Sequence, residues 1–167
     1  MTPEDPERSK GSSTMLETGS PAPEMVLEDT VGDTVRLSDY RGEHAVLLYF
    51  VRSTSCPVCN RNVQDLVRSG DDLEAENVRV LIAVPESRQR AATWKARQRV
   101  PFPVLTARGG TPHEMVGLDR RVFGAMQRSG SLLVDVHGVI RHVHSATLPT
   151  GGYDRKGVMR AVRSLGV

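Results

Sequence analysis

The stretch Ala45-Val46-Leu47-Leu48-Tyr49-Phe50-Val51-Arg52-Ser53-Thr54-Ser55-Cys56-Pro57-Val58-Cys59 decides how this chain is read. Its first seven residues are apolar without a break and rich in branched and aromatic side chains, the mark of a strand buried on both faces. Arg52 to Ser55 then interrupt the run, and Cys56-Pro57 follows. Proline is favoured at the first position of a helix, so a helix should start here with Cys56 as its N-cap. Cys59, Val63, Leu66 and Val67 stand at offsets of 4, 7 and 8 from Cys59, which is one helical face. A sulfur at the N-cap meets unpaired backbone N–H groups and the positive end of the helix dipole, and both favour the nucleophilic thiolate. Arg52 acts in the same direction. Cys59, on the apolar stripe, should be more buried. The pattern predicts an exposed attacking thiol at Cys56 and a sheltered resolving thiol at Cys59.

Cys56 and Cys59 are the 2 cysteines of the chain. Two alone cannot close a structural zinc site, and a secreted disulfide framework uses more. In a chain of alternating strands and helices, C-x-x-C reads most simply as a redox pair.

Outward from this core the alternation continues. Met25–Leu27 and Thr34–Leu37 flank a glycine-containing loop and read as a hairpin. Leu37 to Gly42 reads as a short helical turn. Beyond the cysteines come a second buried strand (Val78–Val84), a polar helix (Glu86–Arg99) with Trp94 as its apolar anchor, and a short strand at Pro103–Leu105. Met115, Leu118 and Val122 fit a helical turn or two. Leu132–Val134, a turn at Asp135–Gly138 and Val139–Arg141 form a strand-turn-strand signal, and Val158, Ala161, Val162 and Leu165 mark a final amphipathic helix. The order predicts an α/β sandwich with a mixed central sheet, parallel in its βαβ part and antiparallel near the end. Residues 1–20 hold almost no apolar content and read as a disordered tail; the folded domain is expected over 21–167.

With 167 residues the chain has the length of one domain, and 38% apolar content supports a core. A net charge of +2, with its basic residues scattered, argues against a nucleic-acid partner. The longest apolar run is strand-sized, far short of the ~20 residues of a membrane helix. The acidic first residues are unlike a secretory signal, so the expected location is cytoplasmic.

At the level of motifs, Tyr49 to Cys59 resembles the active-site strand and turn of thioredoxin-fold proteins, specifically the peroxiredoxin-like group (the alkyl hydroperoxide reductase and thiol-specific antioxidant family). Gly19 to Glu24 with the hairpin, Arg36 to Gly42, Val100 to Leu105 and Leu132 to Arg141 extend the resemblance over about residues 19–167. It implies a thioredoxin-like sandwich with an N-terminal β-hairpin extension. It also implies peroxide reduction without a bound cofactor or metal, with electrons from an external thiol such as a thioredoxin-type protein. The family places a proline seven residues and a threonine or serine three residues before the attacking cysteine. Counting back from Cys56 gives Tyr49 and Ser53; counting back from Cys59 gives Arg52 and Cys56. The Cys56 register keeps the hydroxyl and loses the proline. A family arginine stands just before the strand near Ser131, where Arg128 is the nearest match. The resemblance thus implies that Ser53 or Thr54, with Arg128, orients the substrate and stabilises developing negative charge.

On this reading Cys56 attacks a peroxide or a disulfide and Cys59 resolves the product to an internal disulfide. One alternative is a thioredoxin-like protein-disulfide reductase. Another is a non-catalytic copper-binding or redox-sensing module, in which His142 or His144, alternating on a strand, joins two thiolates suited to copper(I). The oligomeric state is open.

Overall fold

The computed structural model describes residues 16–116, 129–146 and 155–165. Strands β1 (Val26–Glu28) and β2 (Thr34–Arg36) form a separate antiparallel hairpin, followed by a 3-10 turn at Leu37–Tyr40. The central sheet takes β3 (Ala45–Phe50), β4 (Val78–Ala83), β5 (Val104–Leu105), β6 (Ser129–Val134) and β7 (Ile140–Ala146) in the order β5-β4-β3-β6-β7. The helices are α1 (Pro57–Arg68), α2 (Gly70–Ala75), α3 (Arg88–Gln98), α4 (Pro112–Met115) and α5 (Arg155–Leu165).

The sheet is mixed, as expected. β3 runs parallel to β4, with Ala45 opposite Val78 and Phe50 opposite Ala83, and β4 runs parallel to β5. β3 pairs antiparallel with β6, and β6 with β7. The unbroken apolar run of β3 has a direct cause: its side chains alternate between two cores. Ala45, Leu47, Tyr49 and Val51 join a layer with Cys59, Val63, Trp94 and Val162. Val46, Leu48 and Phe50 join a second layer with Met25, Leu27, Leu37 and Ile140. The hairpin extension thus covers the face that the long helices leave open.

Aspartates close both hairpins. Asp29 Oδ1 accepts from the N–H groups of Val31 (3.0 Å) and Asp33 (2.9 Å), and Gly32 takes a φ of 96°. Asp135 Oδ1 accepts from His137 and Val139, both at 2.9 Å, with Gly138 at a φ of 83°. These are Asx turns beside a left-handed glycine.

Three details differ from the sequence reading. α2 was not expected, because Leu73 is its one buried residue and no apolar period announces it. α3 begins at Arg88 rather than Glu86, because the Ser87 hydroxyl accepts from Arg90 N and caps it. Ordered contacts reach back into the expected tail: Gly19 N donates to Ile140 O at 2.7 Å, and Ile140 N donates to Ser20 O at 2.9 Å. Leu118 and Val122 lie outside the described residues. Among the described residues, no helix is long and apolar enough to cross a membrane.

Candidate active site

Val51 N still donates to Ala83 O at 2.9 Å, so the strand holds to its last residue before the chain turns. Cys56 then stands at the N-cap of α1, as expected, with extended backbone (φ −84°, ψ 115°) and Pro57 in the first turn. Its Sγ accepts from Cys59 N at 3.3 Å. Both cysteines are free thiols.

The two sulfurs are electrostatically unlike. Burial opposes ionisation of Cys56. Hydrogen bonds from the Cys59 thiol and N–H, with Arg52 donating and adding its positive charge, outweigh that and hold Cys56 below the usual thiol range. Burial pushes Cys59 up to about 11, and its bond to the Cys56 sulfur adds to the rise, although the N–H groups of Arg52 and Ser53 pull the other way. When one proton leaves the pair, Cys56 is therefore the sulfur that gives it up, and Cys59 keeps its own.

One expectation needs correction. Cys56 is 5% exposed and Cys59 0%, so the sulfur expected to attack is not an open one. A side chain that accepts the N–H three residues ahead folds back over the first helical turn, which turns Cys56 toward the core layer.

Ser53 and Thr54 shape the turn. Ser53 Oγ donates to Glu86 Oε2 at 3.2 Å and bonds Ser55 Oγ at 2.9 Å, while Thr54 N donates to the same Glu86 oxygen at 3.1 Å. Among the described residues neither hydroxyl bonds Cys56. Arg128 lies outside the described residues. His142 and His144 sit on β7 opposite Leu133 and Ser131. Among the described residues, no group of three His, Cys, Asp or Glu could hold a metal.

Three residues around the pair were given no role by the sequence reading. Glu86 ties the turn down from beyond β4. Tyr49 is fully buried with its phenol in hydrogen-bonding contact with Cys59, and its oxygen accepts from Asn62 Nδ2 at 3.2 Å. Burial first, then the Cys59 charge, keep that phenol protonated far above its ordinary range. His113, also fully buried, donates from Nε2 to Val51 O at 2.8 Å and packs edge-on against Phe50. Glu86 and His113 reach the turn from 33 and 62 residues away, and no local spacing joins them to the cysteines.

A mixed five-stranded sheet whose central strand leads into a cysteine-capped helix defines a thioredoxin-fold protein with a dithiol at the helix head. Residues 18–143 match the AhpC/TSA family, and the chain belongs to it. A Mycobacterium tuberculosis protein carrying a peroxiredoxin name is 31% identical over 129 residues, 77% of each chain. Peroxiredoxin Bcp of Bacillus subtilis is 34% identical over 91 residues, 54% of this chain and 57% of that one. Among solved structures, Peroxidoxin BcpB from M. tuberculosis shares the fold with a TM-score of 0.75 at 18% identity, over 90% of this chain and 97% of that chain. Peroxiredoxin Q from Xanthomonas campestris does so with a TM-score of 0.74 at 15% identity, over 86% and 92%.

Proposed function

We propose that this protein reduces peroxides through a cycle in which Cys56 attacks and Cys59 resolves. The Cys56 thiolate attacks one peroxide oxygen; the O–O bond breaks, and the other oxygen leaves with a proton as water or an alcohol. Cys56 is then a sulfenic acid. Cys59 gives up its proton and attacks Cys56 Sγ; the S–O bond breaks, water leaves and the internal disulfide forms. An external thiol donor of two electrons, of which a thioredoxin-type protein is one kind, restores the dithiol.

The observation that carries this reading is the unequal pair. Cys56 Sγ accepts the Cys59 N–H at 3.3 Å at the head of α1, and the Cys59 thiol bonds the same sulfur. Ser53 and Thr54 hold the turn against Glu86, and Arg52 is the cation beside the thiolate. Arg128 is assigned to the peroxide oxygen from its place ahead of β6. The family favours peroxide reduction over the disulfide-reductase and copper alternatives. A dithiol in daily use fits a reducing compartment, so we place the protein in the cytoplasm.

Intact-mass spectrometry after one equivalent of hydrogen peroxide tests the order of attack. Cys59→Ser should gain one oxygen as a trapped sulfenic acid, and Cys56→Ser should not react. The reverse pattern would make Cys59 the attacking residue, with Cys56 standing where the family has its threonine.

A further inference from the structure

Beside the turn that leads into Cys56 lies a groove that the peroxide step does not use. Its volume is about 390 Å³, and Thr54 and Ser55, the two residues leading into Cys56, form one wall. Arg90, Thr93, Trp94 and Arg97 of α3 form the other. Their spacing of three and four residues sets them on one helical face. Both arginines are exposed. Among the described residues neither has a carboxylate partner, since the ion pairs there use Arg68, Arg79, Arg108 and Arg141. Trp94 Nε1 donates to Asn60 Oδ1 at 2.9 Å, which fixes this wall to the helix that Cys56 caps and on which Cys59 lies.

The groove is the size of a small molecule, and its rim is cationic and hydroxylic. The exposed large apolar side chains among the described residues are Val26, Val31 and Met115, and none of them lines it. It therefore offers charge to a small anion rather than an apolar face to a protein donor.

We propose that this groove binds a low-molecular-weight thiol bearing carboxylates, which serves as the electron donor to the oxidised pair. Its carboxylates face Arg90 and Arg97, and its sulfur enters past Thr54 and Ser55 to Cys56. The assignment rests on the peroxidase reading above and names the reductant class for the same site. The donor thiolate attacks Cys56 Sγ of the Cys56–Cys59 disulfide. That S–S bond breaks, a mixed disulfide forms, and Cys59 leaves as a thiolate that takes up the proton the donor lost. A second donor thiolate attacks the donor sulfur of the mixed disulfide, releasing the Cys56 thiolate and the oxidised donor disulfide. Two donor thiols supply the two electrons.

The test is steady-state consumption of hydrogen peroxide by the full chain with glutathione, glutathione diethyl ester or cysteamine as donor. Glutathione should show the lowest KM. Combined Arg90→Glu and Arg97→Glu should raise the glutathione KM roughly tenfold, the effect of losing and reversing two exposed ion pairs, and leave the diester KM in place. Arg163→Glu on α5 alters net charge away from the groove and should leave the glutathione KM alone. Equal KM values for glutathione and its diester, an unmoved KM in the double variant, or turnover with thioredoxin alone would each overturn the assignment. Oxidation by one equivalent of peroxide without donor separates the two layers. If no disulfide forms there, the peroxidase reading fails and the groove assignment with it. If the disulfide forms but charge dependence is absent, only the groove assignment fails.

Discussion

At the residue scale, ionisation separates Cys56 from Cys59. Cys56 is held low by the Cys59 and Arg52 hydrogen bonds despite its burial, and Cys59 is pushed up to about 11. In the dithiol protein, the first alkylation by iodoacetamide therefore reports Cys56 across the neutral range. Its rate should fall as pH drops through a midpoint below the ~8.5 of free cysteine, and Arg52→Ala should raise that midpoint. A midpoint at or above the free-cysteine value would count against the N-cap account. His113 provides a second titration. Burial lowers its imidazole to about 4, against 6.5 when unfolded. The unfolded chain therefore binds the extra proton first, so stability is full above about pH 6.5 and is lost as pH falls toward 4, by about 3 kcal/mol in all. The urea midpoint should drop between pH 7 and pH 5, and His113→Gln should flatten that dependence; a wild-type midpoint that does not move would exclude this role. The cysteines were legible because Pro57 announces the helix start. Glu86 and His113 were not, because they reach the turn from 33 and 62 residues away through folds of the chain that no local pattern encodes.

At the element scale, the site depends on α1 being locked to α3. Asn60 takes the Trp94 indole N–H at 2.9 Å, and Gln64 Nε2 donates to Gln98 O at 2.9 Å. Trp94 is 3% exposed, so its N–H has little access to water. Asn60→Ala leaves that donor unpaired and should cost about 1–3 kcal/mol, read as a lower urea midpoint at unchanged m-value. A loss under about 0.5 kcal/mol would mean water replaces the asparagine without cost. Sequence periodicity exposed α1, because Cys59, Val63 and Leu66 are all buried on one stripe. It missed α2, where Gly70, Asp71 and Asp72 look like a loop and only Leu73 reaches the core. A helix that supplies a single residue to the core leaves no period for the hydrophobic pattern to show.

At the scale of the whole molecule, the central strand divides two cores, and the hairpin extension seals the second of them. The mixed order β5-β4-β3-β6-β7 places the end of β3 at the centre of the sheet, so the dithiol sits on the most supported part of the fold. The apolar runs at Ala45–Val51 and Val78–Val84 made the parallel centre readable, and the turn at Asp135–Gly138 made the antiparallel edge readable. The burial of Cys56 was not, since it follows from a side chain folding back on its own helix. The most direct test of the central claim is to treat the full chain with one equivalent of hydrogen peroxide and follow intact mass with time. The account predicts conversion to a species lighter by about 2 Da, one internal disulfide per chain, at a rate far above that of free cysteine. Oxidation no faster than free cysteine, or a product that keeps both thiols, would contradict it.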